Sequence, residues 1–372
     1  MVNKSPYRVP WSYLSEQFAD NESVLKAFRD FVPTGDFTLG NALTRFETAF
    51  ASKIGAKYAI GVNSGTDAIK LSLKALGVKP GDEVITAANT FIATVGAINE
   101  TGAKPVLVDC RDDFCANLDE VAAKITAKTK AIVPVHLAGQ MVDMPSLLAI
   151  AKQKDIPVIE DACQAMFSEI NGKKSGTFGI TGCFSLHPLK AINVWGDGGV
   201  IVTEDAKLDE AFRLYRNHGL KNRDEVALLG YNSRLDTLQA IVAMDLLQHA
   251  DDIVQKRMEN LAILDNGLKN IPQITLPTRH SNRKLVCHLY IIFAEKRDEL
   301  LRYCLENGIE VKIHYPIPLY LQEGLKHLGY KKGDFPVIDR HVETMISLPM
   351  HQHHTKEQME NIVSVIRAFY GQ

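Results

Sequence analysis

The sequence predicts an α/β protein with a mostly parallel sheet, followed by a smaller C-terminal α+β region. From residue 58 to about residue 202, short apolar segments alternate with helical stretches. The apolar segments are continuous and do not alternate with polar residues, as in strands that are buried on both faces of a sheet. The chain has 372 residues, which fits roughly two domains.

The elements can be predicted in chain order. Strands are expected at residues 58–62, 84–85, 106–108, 131–135, 157–159, 182–184 and 199–202. Helices are expected after the first strand, where Ile69, Leu73 and Leu76 recur at helical spacing, and at residues 118–125 and 146–154.

Farther along, a long helical pattern covers residues 235–268. A strand at 289–293, a helix at 298–307 that ends at Gly308, and a helix at 356–369 follow it. We therefore predict a large domain at residues 1–250, including the N-terminal segment, and a small domain at residues 251–372.

Bulk composition excludes several classes of function. The chain has 42 basic and 44 acidic residues, a net charge of −2, so we expect no nucleic-acid partner and no membrane partner. The polar start has no signal-peptide pattern, and no apolar run approaches the roughly 20 residues that span a bilayer. Six scattered cysteines without a C-x-x-C pair indicate a reducing, cytoplasmic location without disulfides.

The three histidines at residues 351–354 are a candidate metal site. They precede Thr355 and Gln358, whose spacing is that of a capping box at the start of a helix. A solvated loop before a helix is the more common origin of this pattern, so we predict no metal.

Three segments distant in the sequence are predicted at the carboxyl ends of strands, where ligands gather in open α/β sheets. Gly65 and Thr66 open the helix after the first strand, and their N–H groups, the helix dipole and the Thr66 hydroxyl suit a phosphate. Alone, this turn is more typical of an ordinary helix cap. Asp161 ends an apolar strand, and Lys190 follows Pro188 ahead of a glycine-rich turn at residues 196–199.

These groups are the ones that pyridoxal phosphate requires. A lysine amine forms the Schiff base, a carboxylate holds the pyridinium nitrogen, and the turn holds the phosphate. Glu160 is expected to point to the opposite side of its strand, so Asp161 is the better candidate acid. Gln164 could donate to the phenolic oxygen, and Ser185 could add a hydroxyl for the phosphate. Phe91 could stack on the ring, although an ordinary core phenylalanine is equally typical.

Together these segments resemble the DegT/DnrJ/EryC1/StrS family of sugar aminotransferases, a branch of the fold-type I pyridoxal-phosphate enzymes. The matching stretches cover most of the chain in family order and lie at residues 63–68, 90–94, 135–137, 160–165, 184–190, 196–199, 216–219, 230–236 and 314–319.

The resemblance implies that Lys190 and Asp161 are catalytic: Lys190 links to the cofactor and moves the proton, and Asp161 pairs with the pyridine nitrogen. It implies that Asn232 reaches the cofactor phosphate of the neighbouring subunit, so that a homodimer shares its active sites. Further cofactor contacts are implied for Gly65, Thr66, Phe91, Gln164 and Ser185.

Family members usually move an amino group from glutamate, which leaves as 2-oxoglutarate, to a nucleotide-linked keto-sugar by a ping-pong mechanism. The match implicates His314 and Tyr315 in substrate binding, and Trp195 either shapes the sugar side of the pocket or packs. Tyr320 departs from the histidine common in the family. The turn at residues 196–199 resembles members that act on 3-keto sugars more than members that act on 4-keto sugars.

Two alternatives remain. A sugar dehydratase of the same fold generally has histidine in place of the lysine, and Lys190 argues against it. A non-catalytic regulatory protein would not need the complete set of Lys190, Asp161 and Gln164.

Overall fold

The structure is a computed structural model that describes residues 5–372. The strands are β1 (Tyr58–Val62), β2 (Glu83–Ala87), β3 (Lys104–Val108), β4 (Thr129–Val133), β5 (Ile159–Asp161), β6 (Glu169–Ile170), β7 (Lys173–Lys174), β8 (Thr181–Ser185), β9 (Gly199–Thr203), β10 (Ile274–Thr275), β11 (Arg283–Lys284), β12 (Tyr290–Ala294) and β13 (Met345–Leu348). The α-helices are α1 (Leu14–Gln17), α2 (Glu22–Phe31), α3 (Asn41–Ile54), α4 (Gly65–Ala75), α5 (Ile92–Asn99), α6 (Leu118–Ala123), α7 (Met144–Gln153), α8 (Ala206–Tyr215), α9 (Thr237–Gln248), α10 (Ala250–Leu268), α11 (Arg297–Glu306), α12 (Pro336–Thr344) and α13 (Lys356–Phe369).

The central sheet has the strand order β3-β2-β4-β5-β8-β9-β1. Strand β2 pairs in parallel with β3 and β4, and β5 pairs in parallel with β8. Parallel bridges from Ile132 to Val158 and from Val135 to Asp161 connect β4 to β5. Strand β9 runs antiparallel to both β8 and β1, so it is the reversed strand of this sheet. The predicted mostly parallel sheet is confirmed.

Both faces of this sheet are buried, as the continuous apolar runs predict. Val200 and Val202 of β9 face a core that contains Phe46 of α3. Ile201, between them, faces a second core that contains Ile69 of α4. Because successive side chains of a strand point to opposite faces, a strand covered on both sides must be apolar throughout.

The prediction of one long helix at residues 235–268 is wrong. The helical stretch is broken at His249 into α9 and α10. Helix α9 packs on α3 of the large core, whereas α10 packs on α13 near the C-terminus. The chain therefore changes direction between two cores, which a continuous apolar period does not reveal.

The C-terminal part is built around an antiparallel sheet, β10-β12-β13. Its core includes Leu264 of α10, Ile292 of β12 and Ile362 of α13, together with Val9 from the N-terminal segment. Val9 N–H donates to the Gly308 carbonyl at 2.9 Å, so the segment around Val9 lies against this part of the molecule. Division into domains at residue 250 stays a prediction.

Thr355 and Gln358 form the predicted capping box at the start of α13. The loop before it stacks the rings of His351 and His354 with centroids 3.4 Å apart. Among residues 5–372, no group of three His, Cys, Asp or Glu side chains is arranged to hold a metal ion. No helix in the described residues is long and apolar enough to cross a membrane.

Candidate active site

A cavity of about 400 Å³ lies at the carboxyl ends of β5 and β8 and is closed on one side by residues of the C-terminal part. It brings together most of the residues that the sequence predicts. The predicted residues that line it are Gly65, Thr66, Phe91, Asp161, Gln164, Ser185, Lys190, His314 and Tyr315.

The N-terminus of α4 forms one wall of the cavity. Ser64 caps the helix, its Oγ accepting from Asp67 N–H at 3.1 Å, and the first N–H groups of a helix have no partner within the helix. A Cβ added at Gly65 would lie 2.8 Å from Cys163 Sγ and 2.9 Å from Ser185 Cβ. A Cβ at Gly199 would clash with the backbone of Ser64. Glycine at both positions lets the helix end approach β8 and β9 closely and leaves an anion cradle.

Asp161 is buried at the end of β5 and holds two hydrogen bonds. Its Oδ2 accepts from Thr94 Oγ1 at 2.7 Å, and its Oδ1 accepts from Cys163 N–H at 3.2 Å. Thr94 is in turn 2.6 Å from the hydroxyl of Thr90. These donors hold the carboxylate in one orientation at the cavity wall.

Gln164 lies on the turn that follows Asp161. Its Oε1 accepts from Ala138 N–H at 2.9 Å, so the amide has a defined orientation. With the oxygen occupied, the Nε2 group remains as the donor for a ligand oxygen.

Lys190 projects from the turn after β8, and its backbone is held from two sides. The Lys190 carbonyl accepts from the Tyr13 hydroxyl and from Asn193 Nδ2, both at 2.9 Å. Its Nζ lies 3.4 Å from His288 Nε2. Burial lowers the pKa of the Lys190 amine, which increases the share of the neutral, nucleophilic form near neutral pH.

Aromatic side chains cover the open side of the cavity. Phe91, 49% exposed, has its ring centroid 5.9 Å from that of Tyr315. His314 stacks on Trp11 at 5.1 Å, and its Nδ1 lies 2.9 Å from Ser347 Oγ. Burial lowers the pKa of His314 to about 4, so this ring is neutral at physiological pH.

Three positions singled out in the sequence do not line this cavity. Asn232 is exposed, with its Oδ1 accepting from Arg234 Nε at 3.0 Å. Trp195, 38% exposed, makes an edge contact with Phe18 at 5.5 Å. Tyr320, the departure from the family pattern, is buried and donates to the Asp339 carboxylate, so it is a core residue and not a cavity residue.

No motif singles out Trp11, Tyr13 or His288, yet all three line the cavity. They come from the N-terminal segment and from the turn before β12, which carry no motif. Thr94 was inside a matching stretch and could have been found, since a threonine one helical turn beyond Thr90 faces the same side.

The donor set fits pyridoxal phosphate. A helix N-terminus with a glycine cradle, a buried carboxylate, an oriented amide and a lysine with a lowered pKa surround one cavity. The DegT/DnrJ/EryC1/StrS aminotransferase family matches the chain over residues 19–367.

Individual relatives match over nearly their whole length. The chain is 40% identical to a "Pleiotropic regulatory protein" of Geobacillus stearothermophilus, covering 97% of this chain and 98% of the relative. It is 35% identical to "dTDP-3-amino-3,4,6-trideoxy-alpha-D-glucose transaminase" of Micromonospora megalomicea subsp. nigra, covering 96% and 97%.

Two solved structures are similar to this chain over nearly its whole length. S. venezuelae DesV, solved in complex with a ketimine intermediate, has a TM-score of 0.96 and 33% identity, covering 99% of this chain and 100% of that chain. Bacillus subtilis NtdA, solved with its cofactor PMP bound, has a TM-score of 0.91 and 28% identity, covering 100% and 87%. This chain belongs to the DegT/DnrJ/EryC1/StrS family, and it is a pyridoxal-phosphate-dependent aminotransferase.

Proposed function

We propose that the chain moves the amino group of glutamate to a nucleotide-linked keto-deoxy-sugar, with the keto group at C3, by a ping-pong mechanism. The observation that carries the proposal is the meeting of Lys190, Asp161 and the α4 N-terminus on one cavity. The name of the transaminase from Micromonospora megalomicea, which specifies a 3-amino sugar, supports the position of amination.

Lys190 and Asp161 are proposed as the catalytic residues. When bound, pyridoxal phosphate supplies an electron sink for the carbon that carries the amino group. Lys190 Nζ would hold the cofactor and, when free, would move the proton, for which its lowered pKa is suited. Asp161, oriented by Thr94 and the backbone of Cys163, would pair with the ring nitrogen and favour its protonated form.

The other cofactor contacts follow from the cavity walls. Gly65 and Thr66 offer backbone N–H groups and a hydroxyl to the phosphate, and Ser185 lies beside them at the end of β8. Gln164 Nε2 would donate to the phenolic oxygen, and Phe91 would cover the ring. A phosphate dianion at a helix N-terminus is favoured by the dipole and the free donors.

We propose that the enzyme is a homodimer with shared active sites. Asn232 is exposed and does not line its own cavity, and nearby in the chain Leu229 is 91% exposed and Val226 is 60% exposed. Apolar side chains this exposed are suited to an interface. A two-fold axis beside this loop brings Asn232 to the cofactor phosphate of the partner.

The substrate side is assigned to His314 and Tyr315, which line the same cavity as Asp161. Trp195 lies outside the cavity of its own chain, so any role in sugar binding depends on the dimer. The six free cysteines of residues 5–372 support a reducing, cytoplasmic location. The division into domains at residues 1–250 and 251–372 is kept as part of the proposal.

Purified holoenzyme with glutamate alone should release 2-oxoglutarate once per active site. A dTDP-linked 3-keto-6-deoxy sugar added afterwards should be aminated without further glutamate, as mass spectrometry would detect. The matched 4-keto sugar should react more slowly, and alanine as donor should give no burst.

A second candidate is a regulatory protein without turnover, which the name of the Geobacillus stearothermophilus relative favours. The same experiment separates the two functions. Absence of the 2-oxoglutarate burst with a fully loaded cofactor site would support regulation and contradict the transferase.

A further inference from the structure

Lys190 has one side-chain hydrogen-bond partner within residues 5–372, and it is not an acid. The Nζ atom lies 3.4 Å from Nε2 of His288, which also lines the cavity. None of the salt bridges of the described chain includes Lys190. The imidazole is therefore the group best placed to hold the amine.

The fold brings His288 to this position from the C-terminal part. The residue precedes β12, whose first residue, Tyr290, pairs with Leu348 of β13. Its backbone N–H donates to the Ala138 carbonyl at 3.2 Å, and Ala138 N–H donates to Gln164 Oε1 at 2.9 Å. The backbone of His288 is therefore held by Ala138, the residue that also orients Gln164.

Electrostatics keep this imidazole neutral. Burial first, and then the positive charges of Lys190 and Arg257 and the nearby rings of His314 and His187, hold the pKa of His288 well below its usual range. Asp161 and Cys163, which line the same cavity, act in the opposite sense on Lys190 and partly offset the lowering of its pKa by burial. A neutral imidazole has a lone pair on one nitrogen, so it can accept a hydrogen bond from Lys190.

We propose that His288 is a positioning residue, whose Nε2 accepts a hydrogen bond from Lys190 Nζ and holds the free amine where it takes up and returns the substrate proton. This inference rests on the proposed function, because it needs Lys190 to be released from the cofactor during turnover. His288 does not carry the proton itself, since a ring with so low a pKa does not retain one near neutral pH.

Two variants separate this role from packing. His288→Gln keeps an acceptor, the amide oxygen, whereas His288→Phe keeps a planar ring and removes the acceptor. In single-turnover measurements with glutamate, His288→Phe should be slower by roughly tenfold, the effect of one hydrogen bond to a charged group, and His288→Gln by less than about threefold. The change should lie in kcat, with KM for glutamate nearly constant, because His288 acts through Lys190.

A second measurement does not depend on turnover. In the full chain after removal of cofactor, the pH dependence of Lys190 acylation, followed by mass spectrometry, reports the pKa of the amine. An ammonium that donates to a neutral acceptor is stabilised, so His288→Phe should lower this pKa by about one unit relative to His288→Gln. Equal amine pKa values in the two variants, with both rates within about threefold of wild type, would overturn the proposal and leave His288 as a packing residue.

These experiments also show whether the positioning role of His288 or the proposed function itself has failed. If Lys190→Ala keeps normal turnover, the proposed function itself fails. If Lys190 is essential and both His288 variants lose the same large factor, the ring acts as a proton carrier and the positioning role is wrong. Thermal unfolding of both variants checks that they are folded, and a stable His288→Phe with the slower rate supports the inference.

Discussion

Strand β5 carries two neighbouring carboxylic acids, Glu160 and Asp161, which lie on opposite faces of the strand and differ in their hydrogen bonding. Both are buried and lie one residue apart, so composition and local environment along the chain hardly distinguish them. They differ in how many donors each receives and in whether any space remains beside the carboxylate.

Glu160 is fully enclosed by donors. Its Oε1 accepts from Phe178 N–H at 2.6 Å and Gly179 N–H at 2.7 Å, and its Oε2 accepts from Gly176 N–H at 2.9 Å. His136 Nε2 donates to Oε2 at 3.0 Å, since the other ring nitrogen accepts from a backbone N–H. Such a carboxylate organises a loop and has no capacity left for a ligand.

Asp161 receives two donors and borders the cavity. It is therefore oriented but not saturated. Burial therefore does not distinguish a structural acid at a strand end from a functional one. The hydrogen-bonding capacity that remains on the carboxylate does.

Among the residues that line the cavity at the end of β5, Lys190 should have the largest effect on turnover when it is replaced. Lys190→Ala should abolish turnover and remove the borohydride-reducible link between protein and cofactor, because among residues 5–372 no other lysine lines the cavity. Exposed Lys154→Ala is the matched control and should behave as wild type. A reducible link that persists in Lys190→Ala, with normal activity, would contradict the assignment.

Asp161→Asn should reduce turnover by roughly a thousandfold, about 4 kcal/mol of transition-state stabilisation, because an amide does not keep the ring nitrogen protonated. The free energy of unfolding should change by only about 1 kcal/mol, since two hydrogen bonds are largely retained. Stopped-flow rates of both half-reactions and urea unfolding measure the two effects. Near-normal half-reactions would assign this work to another group.

Glu160→Gln is the matched substitution on the other face and should act in the opposite way. Replacing one oxygen by NH₂ leaves Gly176 N–H and His136 facing a donor, so the free energy of unfolding should fall by about 3 kcal/mol. Turnover per folded, cofactor-loaded molecule should stay within about threefold. A stable but inactive Glu160→Gln variant would contradict the structural role of Glu160 and assign it a catalytic one.

Asn232 extends the comparison to the partner subunit and should have the smallest effect. Asn232→Ala should weaken cofactor binding by about 1.5–3 kcal/mol, the loss of one hydrogen bond to a charged phosphate, as measured by equilibrium titration. When a more severe substitution at Asn232 is mixed with Lys190→Ala, some heterodimers carry one intact site, so activity should partly return. Proven subunit exchange without any activity, or an active monomer, would exclude shared sites.

The strands of the large sheet could be predicted because their apolar runs are local and continuous. The helix start at Gly65, the strand end at Asp161 and the turn after β8 that carries Lys190 are local as well, so their common location follows from topology. The break at His249 and the cavity contacts of Trp11 and His288 could not be predicted, because they arise between segments far apart in the sequence.

The pattern of residues along the chain is enough to indicate the class of chemistry, since an amine, an acid and a glycine-opened helix at or just after strand ends meet the needs of one cofactor. Packing between distant segments sets which groups surround them. Thr94 orients Asp161, Ala138 orients Gln164, and His288 comes from the C-terminal part to meet Lys190. The physical reason is that a local pattern specifies the direction of the backbone, whereas hydrogen-bond partners and burial depend on packing between distant segments.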